Sequence, residues 1–227
     1  MKLAQNVNLK TKMVVVLKMD KNDVQILVVE RDKLFNGQEP FEGFKPHLEE
    51  DYESKILEHK KPMRRGDAEK DPSHKQPISY ILIVNPKEKK VFAYQRNLKD
   101  NDEQRLKGKW SWGVGGHIDH SDDLAENPIK QGMLRELSEE VEINGDYSEP
   151  KIFGYINYEQ TPLEACHLGL LYLLEVEGDV THKDKDLHQS RFLDLDELKE
   201  ILKDSSYDVE KWSQIAFQPL KEYFDKL

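Results

Sequence analysis

This 227-residue sequence predicts an α/β (α+β) domain. Three observations carry the prediction: short β-branched runs paired across turn residues, a central segment whose apolar residues recur every four positions, and an amphipathic C-terminal tail. The length suits one domain spanning residues 1–227 with a substantial core.

Met13-Val14-Val15-Val16-Leu17 and Val24-Gln25-Ile26-Leu27-Val28-Val29 flank Asp20-Lys21-Asn22-Asp23 and read as an N-terminal hairpin. A helix is expected from Leu48 to about His59. Residues 60–75 are charged and broken by Pro62, Gly66 and Pro72, so the first 75 residues are expected to close with a long charged loop. Arg64 and Arg65 lie in it and could meet phosphate, although a charge run more often only faces water. A second hairpin is expected from Tyr80–Val84 and Val91–Gln95, with Pro86 at the first corner of the turn. Strands follow around Ile152–Tyr158 and His167–Val176, and Asp194-Leu195-Asp196-Glu197 has the spacing of a capping box. Residues 208–227 are expected to form a helix with Trp212, Ile215, Leu220 and Tyr223 on its apolar face, kinked or divided at Pro219.

The 44 acidic and 34 basic residues leave a net charge of −10, which disfavours nucleic acid and anionic membrane surfaces as partners. A small phosphorylated ligand is still allowed, provided that a metal ion or clustered Arg and Lys supply local positive charge. The single cysteine, Cys166, permits no intrachain disulfide, and the longest apolar run, Leu168–Leu174, is too short to span a bilayer. No apolar signal core opens the chain, so a cytoplasmic protein is expected.

The chemistry concentrates between Asn127 and Val141. Asn127 is a candidate N-cap and Pro128 suits the first helical position, while Ile129, Met133, Leu137 and Val141 form an apolar stripe with Leu134 at its border. Glu136, Glu139 and Glu140 cover an arc of about 100° on one edge of that helix. Carboxylates so placed repel one another and are costly to bury, so compensation is required. Arg135 can pair with Glu139 four positions on, and Mg²⁺ or Mn²⁺, which favour oxygen ligands, would compensate more. Gly132 one turn earlier costs about 1 kcal/mol against Ala, which implies that another backbone segment passes close by.

That segment could be the Gly-rich run Trp110-Ser111-Trp112-Gly113-Val114-Gly115-Gly116-His117-Ile118-Asp119. Together with Arg135-Glu136-Leu137-Ser138-Glu139-Glu140, Gly115-Gly116-His117-Ile118-Asp119 resembles the Nudix box, G-x5-E-x7-R-E-U-x-E-E-x-G-U, where U is aliphatic. Counted from Gly116, the first acidic position falls on Asp122, with Asp123 and Glu126 as alternatives. Arg135 comes five residues later than the pattern places it, and Glu142 stands at the late glycine. The longer run, with Tyr94-Gln95-Arg96 and His167-Leu168-Gly169, is most similar to a bacterial group of MutT-like predicted phosphoesterases.

The resemblance implies a Nudix-type α/β/α sandwich with a mixed β-sheet. It also implies Mg²⁺ (or Mn²⁺) held by Glu136, Glu139, Glu140 and the Gly116 carbonyl, with Arg135 orienting the glutamates. One carboxylate, Glu136 or an acid from a later loop, would help water attack phosphorus, and Glu159, Glu164 or Asp186 could supply a further metal ligand. The implied reaction is hydrolysis of a diphosphate linkage in a nucleoside diphosphate derivative. Many members are homodimers, and the N-terminal segment is a candidate part of such an interface.

Arg96, Trp112 and His117 are the candidate substrate contacts. Arg96 ends a strand near the expected cleft, with surface solvation as the alternative. Trp110 and Trp112 share a strand face, where they fill the core or stack a base. His117 and His120 flank Asp119, and contact with phosphate or an outer role beside the metal outweighs a transition-metal site. His167 reads as a structural histidine. Two rival functions differ in kind. A non-catalytic Nudix-fold nucleotide sensor would be free to lose the glutamates, and isopentenyl-diphosphate isomerisation would require a catalytic cysteine where Cys166 matches no such motif.

Overall fold

The chain runs through β1 (Gln25–Glu30), α1 (Arg31–Leu34), β2 (Gly43–Pro46), α2 (Tyr52–His59), β3 (Lys61–Arg64), α3 (Arg65–Ala68), β4 (His74–Asn85), β5 (Lys90–Gln95) and β6 (Trp110–Ser111). It continues through α4 (Pro128–Glu140), β7 (Val141–Tyr147), β8 (Lys151–Asn157), β9 (His167–His182), β10 (Gln189–Asp194), α5 (Leu195–Lys203) and α6 (Lys211–Asp225). The computed structural model describes residues 20–96, 107–184 and 187–227.

Among the described residues the sheet order is β10-β5-β4-β9-β8-β2. β4 and β9 run parallel from Gln76 opposite His167 to Val84 opposite Glu175, and their neighbours pair antiparallel, so the sheet is mixed. Two helical layers cover it. Alternate residues of β4 face opposite ways: Ile81 and Ile83 join Ile56 of α2 and Ile129, Met133 and Leu137 of α4 in one core. Tyr80, Leu82 and Val84 join Leu198 of α5 and Leu220 and Phe224 of α6 in the other. A strand apolar on both faces belongs in the middle of such an α/β/α sandwich.

The β4–β5 hairpin forms as expected, and Asp194 and Glu197 make the reciprocal capping box that starts α5. Met13–Leu17 lie outside the described residues. The described partners of β1 are β3, with Gln25 opposite Arg64, and β4, with Val29 opposite Lys75. Residues 60–75 are therefore not one long loop, as expected, but a strand and a short helix. β3 supplies backbone partners to β1, so its charged side chains and Pro62 do not prevent pairing at the margin of the sheet. Arg64 is held by Asp23 at 2.6 Å and Asp67 at 3.2 Å. Pro219 does not divide the tail helix, which runs unbroken from Lys211 to Asp225. No helix among the described residues is long and apolar enough to cross a membrane.

Candidate active site

Helix α4 starts where the Asn127 side chain accepts the Lys130 N–H at 3.0 Å, with Pro128 inside the first turn. Its stripe of Ile129, Met133 and Leu137 packs on the sheet and turns the glutamate edge sideways. A Cβ on Gly132 would lie 2.9 Å from the Asp122 carboxylate and 3.3 Å from the Ile118 backbone, so the turn after β6 does pass across the helix here. That turn is itself tied to the sheet, since Ile81 and Val114 exchange backbone hydrogen bonds and Leu27 N–H donates to the Ile118 carbonyl.

Arg135 gathers the site. Its Nε donates to Asp122 Oδ1 at 3.2 Å, and its Nη2 donates to Asp122 Oδ2 at 3.0 Å and to the His117 carbonyl at 2.9 Å. Nη1 donates to Glu136 at 2.8 Å and lies 3.6 Å from Glu139. Asp122 is 3% exposed and also accepts the Asp119 N–H. Of the three acids open at the first acidic position, Asp122 is the one that meets Arg135. Asp123 pairs instead with Lys60 at 2.9 Å, and Glu126 is exposed.

Glu136 lies against Gly116 so closely that a Cβ there would come within 2.6 Å of its carboxylate. Glu140 accepts the Gly115 N–H at 3.0 Å, yet burial still pushes its pKa up to about 7. Burial also raises Glu136, against the opposing pull of Arg135. Burial thus disfavours the charged form of both carboxylates, and a hard divalent cation suits an all-oxygen donor set of this kind. Among the described residues no three acidic, histidine or cysteine side chains are arranged so that they could hold a metal ion as they stand. Glu139, whose side chain is 59% exposed, is the one with room to swing. The Gly116 carbonyl faces β4, where it accepts the Ser79 N–H at 2.9 Å and the Ser79 hydroxyl at 3.2 Å.

The glutamate edge opens into a cleft of about 1050 Å³ that also carries Arg65, Arg96, Lys107, Lys109 and Lys211. Arg96 donates to Glu210 at 2.9 Å and to the Tyr94 hydroxyl at 3.3 Å. His117 shares a 2.9 Å hydrogen bond with Gln76 and stands edge-to-face with His167, whose Nδ1 donates to the Leu163 carbonyl at 2.8 Å. All of these except Gln76 border the cleft, as does Glu164.

Trp112 is corrected. It is 0% exposed and sits with Trp110 in the core beneath α6, so it offers no face to a ligand. Glu159 is engaged away from the cleft by Arg31 at 2.6 Å and Lys75 at 2.8 Å. Asp186 lies outside the described residues. Cys166 is buried, with its thiol directed to the Pro162 carbonyl, and it does not border the cleft. Sequence reasoning missed Glu210, Lys211 and the placement of Trp212, because α6 reaches the cleft from more than 70 residues beyond the glutamate helix and no local pattern marks it.

The NUDIX domain family model matches residues 74–212. Protein YmaB of Bacillus subtilis (strain 168) is 34% identical over 214 residues, covering 89% of this chain and all of YmaB. The crystal structure of Tm1382, classed with the Nudix hydrolases, superposes with a TM-score of 0.70 at 28% identity, covering 88% of this chain and 99% of Tm1382. A MutT Nudix hydrolase from Burkholderia pseudomallei superposes with a TM-score of 0.45 at 16% identity over 63% of this chain and 96% of its own. With the acidic helix, the glycine turn and the mixed-sheet sandwich in place, this chain belongs to the Nudix family and is a Nudix-type hydrolase.

Proposed function

We propose that the protein hydrolyses a diphosphate linkage in a nucleoside diphosphate derivative, with Mg²⁺ or Mn²⁺ held by Glu136, Glu139 and Glu140. The observation that carries this reading is one cleft bordered both by the carboxylate edge and by Arg65, Arg96, Lys107, Lys109 and Lys211, in a chain whose net charge is −10. Such a chain would repel a polyanion unless cations were gathered locally, and around this cleft they are.

The metal would neutralise charge on the diphosphate and make bound water more acidic. The protein's own groups divide the remaining tasks. Arg135 fixes Glu136 and steadies the turn through Asp122 and the His117 carbonyl. Arg96, oriented by Glu210, would donate to phosphate oxygens, and His117 borders the same space. Glu136 and Glu164 are the candidates to take a proton from the attacking water. Gly116 is assigned a close-packing role against Glu136 rather than a ligand role, because its carbonyl is turned to Ser79.

The test is a screen of nucleoside diphosphate sugars, dinucleoside polyphosphates, NAD(H), ADP-ribose and nucleoside triphosphates with Mg²⁺ or Mn²⁺. At least one class should be turned over only with metal, and Glu139→Gln should lower kcat by about 100-fold or more. Absence of turnover across the panel would sink the reading.

A further inference from the structure

Trp110 and Trp112 are 1% and 0% exposed, whereas Trp212, in the first turn of α6, is partly exposed and borders the cleft. Two glycines make room for the rings that hold it. A Cβ on Gly169 in β9 would press on the Trp212 ring at 3.1 Å and 3.2 Å. A Cβ on Gly113 would enter the Tyr80 ring at 2.2 Å, and Tyr80 stands at 89° to Trp212 with ring centroids 5.6 Å apart. The next residue, Ser213, is wholly buried and bonds the Tyr80 hydroxyl at 2.6 Å while accepting the backbone N–H of Trp112 at 3.1 Å. Strands β4 and β9 and the glycine turn thus fix one indole at the cleft wall. Edge-on packing of this kind orients a ring while leaving part of its surface for a ligand.

The charges beside the ring fit a phosphorylated aromatic group. Lys211, whose ammonium lies 5.0 Å from the Tyr158 ring centroid, immediately precedes it, and Glu210 one residue earlier orients Arg96, so two cations border the same cleft as the indole. A nucleobase has a π-face for the indole and carries its phosphates toward such cations. We propose that Trp212 is the nucleobase-stacking residue of this enzyme. This rests on the diphosphate-hydrolase reading above for the phosphate half of the ligand, and it adds the residue that takes the base.

The test uses the wild-type chain with EDTA present, so it does not depend on metal binding or turnover. Acrylamide quenching of tryptophan fluorescence should report mainly Trp212, because the other two indoles are buried. Millimolar AMP, GMP, CMP or UMP should protect it from acrylamide, and ribose 5-phosphate should not. On whichever diphosphate substrate is turned over, Trp212→Leu should raise KM roughly 5- to 150-fold, the equivalent of one lost base stack, with kcat within about twofold. Trp212→Phe should recover most of the loss. Should Trp212→Leu not fold, Trp212→Phe and the wild-type protection decide the matter. No protection by any of the four nucleotides, or equal protection by ribose 5-phosphate, overturns the proposal. An unchanged KM in a folded Trp212→Leu does the same, and metal-dependent turnover surviving that result would leave the hydrolase reading intact.

Discussion

Arg135 holds Asp122, thirteen positions earlier in the chain, with two hydrogen bonds at 3.2 Å and 3.0 Å. Asp122 is buried, and the Arg135 side chain is 22% exposed. Removing one member of such a pair leaves the other poorly compensated, although partial exposure of the arginine reduces the cost. Asp122→Ala should lower unfolding stability by about 2–3 kcal/mol in urea titrations. Asp122→Asn should lower it less. Because Arg135 also fixes Glu136, Asp122→Asn should weaken Mn²⁺ binding by about 10- to 100-fold, as measured by calorimetry.

Trp112 fills the core beneath α6, so shortening it is a packing change. Trp112→Phe should lower unfolding stability by about 1–3 kcal/mol and leave KM within about twofold of the wild type. A large rise in KM in a well-folded variant would return Trp112 to the substrate contacts.

The glutamate helix was legible because its signals are local: an Asn cap, a following proline and a four-residue apolar spacing all agree along one stretch of chain. Asp122 fitted the count from Gly116, but only its contact with Arg135 separates it from Asp123 and Glu126. Trp110 and Trp112 show the limit. Alternation places them on one face of a strand without saying what covers that face, and α6 arrives from far downstream, beginning only at Lys211. β3 was missed for a related reason, since Lys61-Pro62-Met63-Arg64 has no alternating apolar pattern and its pairing is dictated by β1. The contact of Arg96 with Glu210 spans 114 positions and leaves no trace in either neighbourhood.

Glu140 gives a pH signature in the metal-free protein. Its folded pKa, raised to about 7 from an ordinary 4.5, means that folding favours the protonated form. Its contribution to stability is present below about pH 4.5 and is lost as pH rises through 7. With EDTA present, Glu140→Gln should therefore gain at most on the order of 3 kcal/mol over the wild type at pH 8, and nothing at pH 4.5. Urea unfolding at the two pH values checks this.

Arg96 is expected to act on binding. Arg96→Met should raise KM roughly 10- to 100-fold, in line with the loss of a charge-assisted phosphate contact. Glu210→Gln, which keeps a hydrogen-bond acceptor but removes the charge orienting Arg96, should raise KM by less. Steady-state kinetics on one diphosphate substrate compare the two.

Calorimetric titration of Mn²⁺ at pH 7.5 tests the central claim most directly, with the wild type set beside Glu136→Gln, Glu139→Gln and Glu140→Gln. The wild type should bind Mn²⁺, and each variant should bind at least about tenfold more weakly. No binding by the wild type, or binding by all three variants as tight as its own, would contradict the assignment of these glutamates as the metal site.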